Sequence, residues 1–162
     1  MSNDMLKGKY LIKNKANGTM TDVTTLFNGV RILTVSGLST LGEPKNVYTA
    51  DWEYETTEDM AIVMQDSTDT VGIVRENVDI QVTFCVRQKY ADRQIDVGTV
   101  HDNFVKYMTD TDVWVKSMYD GGKTAHCICL KGYEPTAKKL NRGESSYAMG
   151  TITLHCLDKP SV

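Results

Sequence analysis

The stretch that decides the fold is residues 80–87, IQVTFCVR, which alternates apolar and polar side chains. Ile80, Val82, Phe84 and Val86 occupy every second position, and successive side chains of a β-strand point to opposite faces. The polar or small residues between them therefore share the other face. This pattern predicts a long strand that is buried on one side only.

A short helix is predicted after this strand, because apolar residues recur at spacings of three and four. Thr99 followed by Asp102 resembles a capping box, so we expect the helix to begin near Thr99 and to end near Asp110. Its apolar stripe consists of Val97, Val100, Phe104, Val105 and Met108.

A hairpin and a final strand complete this half of the chain. Residues 113–119 and 124–131 flank the sequence Asp-Gly-Gly-Lys at 120–123, and paired glycines supply the positive φ angles of a tight turn. Residues 132–146 are polar and read as a loop. Residues 147–157 alternate again and predict the last strand.

The first half of the sequence is less regular. Residues 9–14, 30–35 and 46–55 are predicted strands, and residues 36–44 form a loop punctuated by Gly and Pro. That loop carries Leu38 and Leu41. Two interpretations stay open: the leucines fold back onto the protein's own core, or they insert into a partner chain.

Together these elements predict a mainly β (α+β) fold, an antiparallel β-sandwich or rolled sheet flanked by one short α-helix. The 162 residues are expected to form a single domain, 1–162, whose core needs neither disulfide nor metal. No apolar run reaches the roughly 18 residues of a membrane span, and the polar start lacks a secretory signal. We therefore expect a cytoplasmic protein without membrane contact.

The four cysteines, Cys85, Cys127, Cys129 and Cys156, are expected to be free thiols, since a reducing compartment disfavours disulfides. Zinc is disfavoured because structural zinc sites usually take cysteine pairs spaced by two to four residues on a turn. We predict no metal site and no cofactor.

No motif for catalysis is present. No Ser lies in a Gly-flanked elbow, and no histidine is tied to a nucleophile by spacing. His101 is expected beside the buried stripe of the helix, in a structural role. The chain is therefore not expected to be an enzyme, and no catalytic residue is assigned.

Charge is distributed unevenly. Residues 46–74 contain no Lys or Arg, and positive charge is concentrated at Lys131, Lys138, Lys139 and Arg142, of which the last three are the candidate basic interface. Two interpretations stay open: the charges serve ordinary solubility, or they let identical subunits meet head to tail, acidic surface against basic. A duplex-gripping role is improbable at a net charge of −3. The candidate lumen or interface acids are Asp51, Glu53, Glu55, Glu58 and Asp59.

The order of elements resembles that of the tube-forming tail proteins of long-tailed bacteriophages. The resemblance covers mainly residues 75–157 and lies in the sequence VDIQV at 78–82, the helix around Phe104, the Asp-Gly-Gly turn, and SYAMGT at 146–151. A neck or tail-completion protein of the same phage module would look much alike. A small ligand-binding β-domain lined by Trp52, Tyr54 and Trp114 is a further alternative.

The resemblance implies a virion structural protein, made in the bacterial host cytoplasm, that self-associates into rings, possibly hexameric, stacked into a tail tube. Its partners would be copies of itself and other tail proteins, with DNA as non-specific cargo in a lumen lined by carboxylates. Residues 1–15 would be an N-terminal arm, and residues 36–46, with Leu38 and Leu41, an assembly loop. The chain departs from the family in having a modest early loop with few long apolar stretches.

Overall fold

A computed structural model of the chain describes residues 7–44, 47–52, 60–65 and 74–162, with 47–52 and 60–65 described by their backbone alone. The chain, expected to form one domain, divides into two compact units. The first, which we call the sheet unit, comprises Met1–Ser39 and Asp79–Val162. The second, the inserted unit, is Thr40–Val78.

The sheet unit contains an antiparallel sheet in the order β2-β1-β7-β8-β10-β6-β3, with β9 beside β10. The inserted unit contains the antiparallel pair β4–β5. This architecture confirms the mainly β (α+β) class. The strands are β1 Tyr10–Lys13, β2 Thr21–Asp22, β3 Val30–Ser36, β4 Val47–Trp52, β5 Met60–Gln65, β6 Asp79–Arg87, β7 Val113–Ser117, β8 Lys123–Ile128, β9 Ala137–Lys139 and β10 Tyr147–Cys156, and the helices are α1 Val23–Leu26 and α2 Val97–Thr109.

The sheet is rolled, so that its two ends approach each other. The Tyr10 hydroxyl donates to the carbonyl oxygen of Leu33 on β3 over 3.5 Å, although β1 and β3 lie far apart in strand order. Helix α1 lies against both β1 and β3. A register shift between Ile32 and Thr34 adds local twist to β3, as bulges do. The rolled form of the expected fold is therefore the one observed.

The core lies inside the roll and follows the predicted alternation. Phe84 on β6 is fully buried, as are Ile152 and Leu154 on β10. Helix α2 covers this face with Phe104 and Met108, and the Phe84 and Phe104 ring centroids are 4.7 Å apart. Burying side chains of this size stabilises the fold by about 1.5–3 kcal/mol each. The one-sided burial predicted for β6 is confirmed at Gln81 and Thr83, which are exposed or half-buried, but it was wrong for Cys85, which is 6% exposed on the same outer face.

The predicted start of the helix was wrong. Helix α2 begins at Val97 and is capped by Asp96, whose carboxylate accepts from the backbone N–H of Gly98 (3.2 Å) and from the Thr99 hydroxyl (2.9 Å). Asp is a strong N-cap, and Val97 is buried, so the first turn forms earlier than Thr99. The end near Asp110 is confirmed, because the last helical residue is Thr109.

The hairpin is confirmed in strands β7 and β8, with Gly121 and Gly122 at φ +69° and +79°. The loop interpretation of residues 132–146 was wrong for Ala137–Lys139, which form β9 against β10. A three-residue, lysine-rich edge strand carries too little hydrophobic pattern to be recognised. Of residues 1–15, expected as an arm, Tyr10–Lys13 form β1 and pair with β2 and β7.

Candidate self-assembly surfaces

The division of the chain into two units coincides with a division of charge. The inserted unit contains nine acidic and two basic residues, a formal charge of −7. Because the whole chain carries −3, the remaining residues, which form the sheet unit, carry +4. The chain therefore consists of one acidic and one basic unit. The acid-rich stretch showed where the acidic residues lie, but not that the rest of the chain forms a separate unit of opposite charge.

The candidate acids all belong to the inserted unit. Asp51 lies on β4, in register with Ala61 of β5. The others, Glu53, Glu55, Glu58 and Asp59, lie outside the described residues.

The candidate basic residues lie together along one edge of the sheet unit but do not share one face. Lys138 and Lys139 are consecutive on β9, so their side chains point to opposite sides of the sheet. Both are exposed, as is Arg142, whose backbone N–H donates to the Ser146 hydroxyl over 2.9 Å. Lys138 lines an open cleft of about 340 Å³ together with Lys106 of α2. The basic edge therefore presents charge in two directions.

The two leucines of the candidate assembly loop differ in exposure. Leu38 is 4% exposed, whereas Leu41 is 63% exposed. Between β3 and Leu38, Gly37 has a φ of +97°, and a Cβ there would collide with the carbonyl oxygen of Asp79. The chain therefore leaves β3 through a tight approach that only glycine fits.

A strip of uncharged polar side chains crosses the outer face of the sheet unit. The Thr83 and Thr151 hydroxyls, on neighbouring strands, lie 3.1 Å apart and share a hydrogen bond. All side chains of this strip are exposed or half-buried. The sequence indicated them through the polar positions of the alternation in β6 and β10. This outer strip comprises Thr34, Ser36, Gln81, Thr83, Thr151 and Thr153, which the register of β3, β6 and β10 brings side by side.

Two arginines meet at Tyr90, an arrangement that no sequence pattern indicated. Arg31 is only 8% exposed and donates to the carbonyl oxygens of Val30 and Tyr90. The guanidinium carbons of Arg31 and Arg87 lie 5.2 and 5.7 Å from the Tyr90 ring centroid. The buried Nε of Arg87 has no hydrogen-bond partner among the described residues. The β3–β6 end of the sheet unit thus adds a second basic locus.

His101 is a structural residue. It is 2% exposed, and its Nδ1 lies 3.0 Å from a carboxylate oxygen of Asp102 and its Nε2 lies 2.7 Å from the Tyr133 hydroxyl. Burial raises the pKa of Tyr133 to about 12, so its hydroxyl stays protonated. Because a carboxylate only accepts, Nδ1 donates to Asp102, and Nε2 is paired with the Tyr133 hydroxyl. Both ring nitrogens are occupied, which leaves neither for a substrate.

The other two histidines also pair with carboxylates. His126 Nε2 lies 2.7 Å from Asp112, and His155 Nδ1 lies 2.8 Å from Asp79. The His126 ring stacks on Trp114, one of the three aromatic residues of the ligand-binding alternative, with ring centroids 4.1 Å apart. Within residues 7–44 and 74–162, no group of three or more His, Cys, Asp or Glu side chains is arranged to hold a metal ion.

No helix in the described parts of the chain is long and apolar enough to cross a membrane. Comparisons of the sequence with models of protein families and with curated proteins give no match. Function is therefore argued from the geometry and charge of the chain itself.

Proposed function

We propose that this chain is a structural subunit that associates with copies of itself, head to tail, into rings or a tube of the kind that serves DNA passage in a phage tail. The observation that carries the proposal is that the two units differ in charge: the inserted unit carries −7 and the sheet unit +4. Complementary surfaces on one chain favour contact between the acidic unit of one copy and the basic unit of the next.

Such a contact joins two different surfaces, so it does not end with a dimer. A heterologous contact closes into a ring when its rotation allows, and otherwise continues as a filament. The exposed basic edge at Lys138, Lys139 and Arg142 is the receiving surface in this proposal, and the acidic stretch that includes Asp51, Glu53 and Glu55 is the donor.

The absence of positive charge from the outer strip supports a role in DNA passage. Its six side chains are hydroxyls and one amide, without a Lys or Arg to hold phosphate. Once acidic and basic units neutralise each other at the contacts, each subunit retains a net charge of −3. The assembled particle therefore stays negative overall, which repels the DNA backbone, while the uncharged strip offers no group that holds phosphate. The subunit would act in the virion tail after assembly in the host cytoplasm.

The test is negative-stain electron microscopy with light scattering over a concentration series of the purified chain. We expect rings or short tubes with a central hole, and fewer of them at high salt, because screening weakens exposed charge contacts. Single rings that never stack would favour a neck or tail-completion component. A monomer at every concentration and at low salt would contradict self-association of the free chain.

Charge reversal sharpens this test. The triple variant Lys138→Glu, Lys139→Glu, Arg142→Glu should lose assembly, and so should Asp51→Lys, Glu53→Lys, Glu55→Lys. A mixture of the two variants should assemble, because each supplies the surface that the other repels. Lys15→Glu, at an exposed lysine distant in sequence from the basic edge, is the matched control and should assemble normally. Failure of the mixture would remove these residues from the contact.

A further inference from the structure

Two buried cysteines face each other across neighbouring strands of the sheet unit. Cys127 of β8 and Cys156 of β10 are in register, and their Sγ atoms lie 3.7 Å apart. Both side chains are fully buried on the inner face of the sheet. No other pair of the four cysteines is brought together in this way by the strand register.

The strand register places the pair at a site where a disulfide fits. The backbone N–H of Leu157 donates to the carbonyl oxygen of His126 over 2.7 Å. Leu157 and His126 are therefore a hydrogen-bonded pair of the antiparallel ladder. Cys127 and Cys156 are therefore the adjacent non-hydrogen-bonded pair, in which Cα atoms are about 4.5 Å apart. Disulfides span Cα separations from about 4.4 to 6.8 Å, so rotation about χ1 suffices to close the Sγ gap.

The two thiols are not equivalent. Their mutual hydrogen bond raises the pKa of Cys127, a shift that burial reinforces, and the same bond lowers the pKa of Cys156. The thiolate is the form that attacks an oxidant. The thiol that is exposed first supplies the attacking thiolate, and the other thiol, 3.7 Å away, resolves the product.

The end of β10 also provides a route for an oxidant to reach the pair. Strand β10 pairs with β8 at His155 and Cys156, and the residues after it stay attached to β8 through the Leu157–His126 and Ser161–Thr124 backbone hydrogen bonds. Strand ends open at a lower free energy than strand centres. Opening of residues 157–161 together with the end of β10 is therefore the local motion that exposes Cys156 and leaves the core around Phe84 in place.

We propose that Cys127 and Cys156 are a redox-active pair that forms a disulfide when the protein meets a peroxide. The Cys156 thiolate attacks one peroxide oxygen; the O–O bond breaks, an S–O bond forms, and hydroxide leaves and takes up a proton as water. Cys127 sulfur then attacks the sulfenic sulfur, its proton leaves, and the S–O bond breaks to release a second water. The two thiols lose two electrons in total, and the peroxide gains them.

The disulfide staples the C-terminal end of β10 to β8. In the reducing cytoplasm the pair stays as thiols, and the link forms after the protein leaves that compartment. It closes a loop between residues 29 apart in sequence, which restricts the unfolded chain. This inference concerns the sheet unit alone and does not depend on self-association.

The test uses the full chain, purified with reductant, freed of it and treated with hydrogen peroxide. We expect the count of free thiols, measured after denaturation, to fall from four to two, and peptide mapping to join the segments that contain Cys127 and Cys156. The thermal midpoint should rise by about 5–10 °C and return on reduction. Loss of two hydrogens in the intact mass identifies the monomeric disulfide.

Control variants separate this pair from the other cysteines. Cys129, half-buried with its thiol donating to the Lys131 carbonyl oxygen, is the competing thiol, so Cys129→Ser should retain the full response. Cys156→Ala should abolish both the mass change and the thermal shift. Because that variant could fold poorly, the peptide map of the unaltered chain decides: a link that involves Cys129, or four thiols that survive peroxide in the folded protein, would overturn the proposal.

Discussion

The sheet unit and the inserted unit differ in architecture and in charge. The sheet unit wraps a rolled sheet and a thirteen-residue helix around fully buried aliphatic and aromatic side chains. The described strands of the inserted unit form a single two-stranded pair, β4–β5, in a segment of formal charge −7. An isolated hairpin is marginal in water. The comparison teaches that the buried core lies in the sheet unit, while the inserted unit carries the charge on which the proposed contacts between copies depend.

Excision of the inserted unit is the strongest way to test this contrast. Residues 40–78 would be replaced by a short Gly-Ser turn, which the geometry allows because Ser36 of β3 pairs with Gln81 of β6. We expect assembly to be lost altogether while the sheet unit keeps its circular dichroism spectrum and a cooperative thermal transition. The reason is that no strand of the rolled sheet comes from the removed segment.

Light scattering and electron microscopy of the shortened chain provide the readout, and the full chain at the same concentration is the control. Rings formed by the shortened chain would show that the sheet unit assembles unaided. A chain that loses its cooperative transition would show that the fold depends on the inserted unit, which would contradict the division of labour.

Within the sheet unit, the aromatic core should be the most sensitive point. Phe84→Ala removes a fully buried ring that lies against His101, Phe104 and Tyr133. We expect it to lower the free energy of unfolding by about 3–5 kcal/mol, from lost burial and the cavity left behind. Urea titration measures the loss. Tyr119→Ala, at a ring that is 54% exposed, is the matched aromatic deletion and should cost far less.

Gly150 should give a smaller but still clear effect. A Cβ at this position of β10 would occupy the space of the Tyr133 hydroxyl and ring, so Gly150→Ala must displace Tyr133 and its hydrogen bond to His101. We expect a loss of about 1–3 kcal/mol. Gly132→Ala is the control, because nothing lies within 4 Å of its Cβ. Equal losses for the two variants would indicate a backbone effect rather than the displacement of Tyr133.

These residues also show what the sequence could and could not predict. The alternation in β6 and β10 identified the buried faces, because period two is imposed by strand geometry wherever one side is covered. The contacts of Tyr133 with His101 and Gly150 join residues 17 to 32 positions apart through a polar loop, where no periodicity exists. Their pairing follows from the roll of the sheet, a tertiary property.

The candidate surfaces also include features that the sequence could predict and features that only the fold reveals. Charge could be read from composition, so the acidic stretch and the Lys138–Lys139 pair were identifiable in sequence. The buried position of Arg31 beside Tyr90 was not, because burial of an arginine depends on carbonyl oxygens that only the folded chain presents. The side-by-side placement of Cys127 and Cys156 likewise required the register of β8 and β10.

The smallest expected effect concerns Asp79, where the sheet unit begins again after the inserted unit. The hydrogen bond from His155, and then Lys131 at 3.4 Å, lower the pKa of Asp79 below its ordinary value of 3.8. A lowered carboxyl pKa stabilises the fold above about pH 4, and that contribution is lost as the pH falls through the folded pKa. Asp79→Asn should therefore cost at most about 0.5 kcal/mol at neutral pH, since the pair is largely exposed and solvent-screened. Urea midpoints of the two proteins should converge as the pH falls below the folded pKa of Asp79, and a gap that persists in acid would assign the loss to packing at the strand end instead of charge.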